Sequence, residues 1–248
     1  MNEKRRYGVI DAIRAVAILN MIAFHLCYDI FVVFGVWEGF YLATPVVIWE
    51  RMICSTFILI SGVSLHFSRR GWKRGVLVFL CGMAVTLVMA LVMPEQAIWF
   101  GILHFLGLAM ILGSLLKPAL DRLSPLWGML VFFLLFMLSY GIPDGYLGLF
   151  SHSLVTLPRA LYQVPWLAFV GLPAAGFSSS DYFPLLPWIF LYLFGVMLWR
   201  FLLQRQYDRF FVRRIPVLGF IGKHSLLIYM VHQPILYGIC YLIFLFLP

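Results

Sequence analysis

The chain has 248 residues, 63% of them hydrophobic, 18% aromatic and 11% charged, with a formal net charge of +8. Its mean hydropathy of +0.98 excludes a soluble domain, because a folded protein of this size must present a largely polar surface to water. Nor does the positive charge indicate a nucleic-acid partner: the basic residues lie between apolar stretches, where they act as topology signals.

MNEKRRYGVI is a charged start, but the stretch after it carries Asp11 and Arg14 and lacks a small-residue cleavage site, so the first helix is expected to be a permanent anchor. About 20 residues cross a hydrocarbon core at 1.5 Å per residue. On that ruler spans are expected near 9–34, 46–67, 75–93, 98–116, 125–141, 184–203 and 224–246. The resulting fold class is an all-α polytopic membrane bundle, a single domain over 1–248. Strand-period alternation at barrel spacing is missing. Cys27, Cys54, Cys81 and Cys240 are scattered singly, so they define no disulfide framework.

Charge sets the orientation. With the N-terminus cytoplasmic, sixteen of the eighteen Lys and Arg residues fall on the inner side, leaving Arg51 and Arg159 outside. This is the bias that basic loops impose on membrane topology. The longest piece between spans, roughly 142–183, then lies outside. YLGLF and VPWLAFVGL are too apolar for a disordered linker, and Pro143, Pro158, Pro165 and Pro173 break any long helix. An ordered cap with short interfacial or re-entrant pieces is expected there. Ser178–Asp181 supplies N-cap chemistry for the helix that follows, and Pro234 should bend the last span or free a carbonyl.

The first span carries the strongest functional signal. Asp11, Arg14, His25 and Asp29 fall within an arc of roughly 60° on a helix. Ionisable groups inside a hydrocarbon span are costly and normally face a protein interior or a water-filled cavity. Counting from helix ends puts His25, Glu50, Arg51 and His104 at similar depth toward the outer side, with His232 nearer the middle. A histidine can take and return a proton near neutral pH. An arginine near the inner surface suits a phosphate-bearing ligand, helped by basic loops at 69–74 and 205–214. The competing bland roles are packing for His25, His104 and His232, helix-end capping for His66 and His224, and lipid-phosphate anchoring for Arg69, Arg70, Lys73 and Arg74. His152 should be solvated. No HExxH, Cys/His metal spacing, P-loop, GxGxxG or GxSxG is present, so no metal site is expected.

Arg14 and His25 form an R-x10-H pattern that resembles the hallmark of the transmembrane acyltransferases. FILISGVSLHFS (57–68), FGILHFLGLA (100–109), DYFPLLPW (181–188) and GKHSLLIYMVHQP (222–234) resemble the bacterial membrane family named after the heparan-alpha-glucosaminide N-acetyltransferase catalytic domain. The likeness covers nearly the whole chain. It implies transfer of an acyl group, acetyl above all, from acetyl-CoA or another acyl-CoA to an amine or hydroxyl, often of a sugar or glycan, on or across the membrane. The lysosomal members have more spans and carry a histidine in their first extracytoplasmic loop. Here that loop, about 35–45, has none, so the work falls to His25 with His104 or His232 assisting and Glu50 or Asp29 orienting it. The cofactor-binding set is Arg14, Arg69, Arg70, Lys73 and Arg74. The implied setting is a multi-pass inner (plasma) membrane protein among lipids, with a homodimer left open. The same His/Asp stripe would serve a proton-coupled transporter or channel, and a non-catalytic membrane scaffold is the third alternative.

Overall fold

A computed structural model of the protein describes residues 7–37, 39–68, 70–149 and 152–246. Seven helices among them are long and apolar enough to cross a membrane: Gly8–Val33, Thr44–Phe67, Gly71–Val92, Ile102–Leu120, Pro125–Asp144, Leu185–Gln204 and Ser225–Phe246. The expected all-α polytopic bundle is therefore what the chain forms, and this is a multi-pass membrane protein. Large apolar side chains such as Leu87, Leu91, Val92, Phe133, Leu134, Leu242 and Phe246 remain exposed along the spans, as hydrocarbon-facing surfaces require. The fourth helix starts four residues later than hydropathy alone places it. A 3-10 turn at Pro94–Gln96 precedes that apolar stretch, and the left-handed Phe100 (φ 56°) lies within it.

The chain divides into two compact units, residues 1–57 with 206–248, and residues 58–205. In the first unit, α1 (Gly8–Tyr28) runs into a π-helical segment, Asp29–Val33. The first part of α2 (Thr44–Ser64), a short α7 (Asp208–Phe211), α8 (Pro216–Lys223) and α9 (Ser225–Phe246) complete it. Helix α1 packs on α8 and α9. Its core joins Ile18, Met21 and Phe24 to Ile53, flanked by Ile221, Ile228 and Tyr229. Lipid tails are as apolar as leucine, so such helices associate through close packing and hydrogen bonds rather than through escape from water. Gly222 permits that closeness, because any Cβ there would collide with the Asp11 carbonyl.

The second unit holds α3 (Gly71–Val92), α4 (Ile102–Leu120), α5 (Pro125–Ser139) and α6 (Leu185–Gln204). Helix α3 lies on α4, and α6 lies on both α5 and α4. Tyr192, Val196, Met197 and Trp199 of α6 are fully buried, making it the most enclosed span. Both ends of α4 are closed by distant side chains. Asp181 Oδ2 accepts the Ile102 N–H at 2.9 Å. Arg200 donates to the carbonyls of Leu120, Asp121 (2.8 Å) and Leu123 (3.0 Å), a cation on the negative end of the helix. Asp181 was expected to cap the helix that follows it in sequence. It caps α4 instead, and α6, whose N-cap is Pro184, starts with no side-chain cap.

The described residues of the 142–183 segment hold more than helical pieces. An antiparallel hairpin pairs β1 (Tyr146–Leu149) with β2 (His152–Thr156), and 3-10 turns follow at Arg159–Gln163 and Pro165–Phe169. Two phenols hold the segment together: Tyr162 donates to Ile142 O at 2.5 Å and Tyr182 to Ala168 O at 2.6 Å. Burial pushes both hydroxyls above the ordinary tyrosine range, so they stay protonated donors at neutral pH.

Gly222→Val should force α8 off α1 and lower stability by about 1–3 kcal/mol, the usual cost of overpacking. Gly219→Ala, where a Cβ meets nothing within 4 Å, should be neutral or slightly stabilising. Thermal unfolding of the two detergent-purified variants checks the pair.

Candidate functional site

Two helices of the first unit bring polar groups together inside apolar spans. The rings of His25 on α1 and His232 on α9 lie 5.0 Å apart, centroid to centroid, tilted by 58°. Phe24 packs edge-on to His25 at 5.8 Å, and Tyr229 lies 5.4 Å from His232. One turn further along α1, Asp29 is fully buried and accepts a hydrogen bond from Gln233 Nε2 at 2.7 Å. Positions 25 and 29 thus face 232 and 233.

Local backbone geometry sets this arrangement. At Asp29 the helix loosens into a π turn, with the Phe34 N–H reaching back to Asp29 O at 2.9 Å. Such turns are uncommon and cluster at functional sites. On α9 the His232 Nδ1 lies 2.6 Å from Tyr229 O. A carbonyl only accepts, so Nδ1 carries the hydrogen, and the neutral ring keeps its lone pair on Nε2. The helix continues through Pro234, whose missing N–H removes the normal partner of the Met230 carbonyl. Among the described residues, three buried atoms of this cluster have no hydrogen-bond partner: His232 Nε2, Asp29 Oδ2 and Gln233 Oε1.

The other residues singled out in the sequence have separate settings. Arg14 donates to Asp11 Oδ1 at 3.0 Å and reaches Gly222 O at 3.5 Å, so its guanidinium ties α1 to α8. Glu50 accepts from the Tyr41 hydroxyl at 3.1 Å. His104 belongs to the second unit, where it is buried. Its Nε2 lies 3.5 Å from Thr86 Oγ1, Phe79 packs edge-on to it at 5.4 Å, and Nδ1 is buried without a partner among the described residues. Arg70, Lys73 and Arg74 are exposed around the start of α3, with Lys73 Nζ 5.4 Å from the Trp72 ring. Arg69 lies outside the described residues. Of the bland roles, His224 closes α8 and donates to Phe220 O at 2.9 Å, His66 donates to Val196 O at 3.2 Å, and His152 is exposed.

Gln233 was not singled out from the sequence. Its signal was present: an amide beside a proline in the middle of an apolar span needs a partner, because hydrocarbon supplies none. Among the described residues no group of three or more His, Cys, Asp or Glu is placed to hold a metal ion.

Seven crossing helices with buried imidazoles and a buried carboxylate define a multi-pass membrane protein with a polar interior site. The chain belongs to the family described as heparan-alpha-glucosaminide N-acetyltransferase, catalytic, whose model matches residues 6–234. Membership makes it a membrane protein of the acetyltransferase class, in agreement with the resemblance carried by its sequence fragments. No curated protein and no solved structure matches it.

Arg14→Ala removes the bond to Gly222 O that ties α1 to α8, together with the bond to Asp11 within α1. It should lower stability by about 1–3 kcal/mol, as expected for a charge-assisted pair, whereas Arg14→Lys should recover part of the loss. Unfolding midpoints of the two variants measure the difference.

Proposed function

We propose that this protein transfers an acyl group, acetyl above all, from acyl-CoA to an amine or hydroxyl of a sugar or glycan on or across the membrane. The observation that carries this reading is the His25–His232 pair, with the His232 tautomer held so that Nε2 is the basic nitrogen. Acetyl-CoA, when bound, supplies an acetyl group already activated as a thioester. His232 Nε2 takes the proton from the acceptor nitrogen or oxygen as that atom attacks. His25, in ring contact with His232, steadies the imidazolium's surroundings and offers a route for the proton toward the departing sulfur. Apolar packing by Phe24 and Tyr229 keeps bulk water from competing as acceptor. Glu50 and His104 stay as proposed auxiliaries.

The residues proposed to hold the phosphates of CoA are Arg14 and the α3 group Arg70, Lys73 and Arg74, with Arg69 as their sequence neighbour. Exposed cations at a helix N-terminus are chemically suited to phosphate. The proposed setting is the inner membrane, N-terminus cytoplasmic and the 142–183 cap extracytoplasmic, as the basic-residue bias supports. A family match that runs through both units supports one catalytic domain.

The test is transfer of radiolabelled acetyl from acetyl-CoA to glucosamine by protein in nanodiscs. His25→Ala and His232→Ala should each lower kcat/KM by about 100- to 10,000-fold, the range of a lost general acid or base, while unfolding midpoints stay near wild type. Wild-type turnover in both variants would remove the histidine pair from the chemistry. Proton movement in proteoliposomes without any acetyl turnover would favour the transporter reading of the same polar cluster.

A further inference from the structure

The Asp29–Gln233 pair has a feature that bracing two helices does not require. A carboxylate and an amide that served only to join α1 to α9 would leave spare lone pairs turned to water or used by backbone donors. Here one bond is made, Gln233 Nε2 to Asp29 Oδ1 at 2.7 Å, and the remaining oxygens, Asp29 Oδ2 and Gln233 Oε1, are buried with no partner among the described residues. The adjacent His232 contributes a third buried unpartnered atom, Nε2, whose lone pair is fixed by the bond from Nδ1 to Tyr229 O.

All three atoms accept hydrogen bonds when Asp29 is ionised: a carboxylate oxygen, an amide oxygen and a basic ring nitrogen. A site that presents acceptors is matched by a ligand that brings donors. Leaving such atoms unpaired is costly, so a molecule that satisfies several at once is bound selectively. The chemistry that fits is a compact ring or chain with N–H and O–H groups on neighbouring carbons. A monofunctional amine fills one of these positions and leaves the others unmet. The π turn that begins at Asp29 adds an independent mark, since such widened turns are retained chiefly where function requires them.

We propose that Asp29 and Gln233 are the specificity element for the acceptor, taking hydrogen bonds from hydroxyl groups that flank the amine or hydroxyl to be acylated. This rests on the acyl-transfer reading for the word acceptor. The binding chemistry itself stands on the three unpartnered atoms. Asp29 and Gln233 take no proton from the reacting atom; they choose which molecule presents it to His232.

The experiment compares binding of two probes of similar ring size, glucosamine and cyclohexylamine, to wild-type protein in nanodiscs by calorimetry. Wild type should favour glucosamine. Asp29→Asn keeps the shape but puts an amide N–H where a lone pair stood, and Gln233→Leu removes the amide oxygen. Each should shrink the preference by about tenfold or more, the scale of one lost buried hydrogen bond. A purely structural role would weaken both probes together and leave their ratio untouched. No preference in wild type, or an unchanged ratio in Asp29→Asn and Gln233→Leu, overturns the assignment. Acetyl transfer to glucosamine with an unchanged ratio would sink this assignment and leave the enzyme reading standing. A ratio that responds to the variants without any acetyl transfer would do the reverse.

Discussion

A carboxylate, an amide and two imidazoles inside apolar helices depend on the protein for partners, because hydrocarbon offers none and an unsatisfied group there is costly. The 2.7 Å bond from Gln233 to Asp29 therefore constrains more than two side chains. It fixes the rotation and height of α9 against α1, and with them the approach of the His232 ring to His25. The net gain from such a bond within a membrane is modest, about 0.6 kcal/mol on average. The penalty for alternatives that leave the carboxylate alone is larger, and that asymmetry selects the register.

The second unit obeys the same rule at its backbone ends. Helix α4 starts under Asp181 and ends under Arg200, so donors and acceptors that a helix leaves open are closed by side chains about 80 residues away in sequence. Small residues bring the cylinders close enough for this. A Cβ at Gly107 would approach the Phe79 backbone nitrogen to 2.6 Å, and one at Gly195 would come to 2.5 Å from Leu59 O. Without a water-driven collapse, contact at this range and end-capping across helices supply the cohesion.

The groups proposed to carry the chemistry sit where polarity is hardest to accommodate. The histidine pair and the Asp29–Gln233 pair occupy successive levels of the same two helices, the first proposed for proton transfer and the second for recognition. Arg14, on the same helix, is drawn into packing with Asp11 and Gly222. A guanidinium in that position holds α8 in place whatever ligand it also meets. Residues read from sequence as a single stripe thus divide between Arg14, bonded to Asp11 and α8, and His25 and Asp29, set against α9.

What the amino-acid sequence determined by itself is everything that depends on about 20 consecutive residues: the seven spans, their order, and the cost that marks Asp11, Arg14, His25 and Asp29 as exceptional. The family fragments were legible for the same reason, being contiguous. The pairing of Tyr146–Leu149 with His152–Thr156 was not, because the strands are short and their pairing passes through a register irregularity between Leu147 and Gly148. Asp181 was assigned to its sequence neighbour, since local capping rules see only the next helix. Gln233 and Asp29 are 204 positions apart, and no local pattern couples them. Only the tertiary structure decided that pairing, because it depends on how far one helix slides and turns against another, a quantity set by close packing across the whole interface.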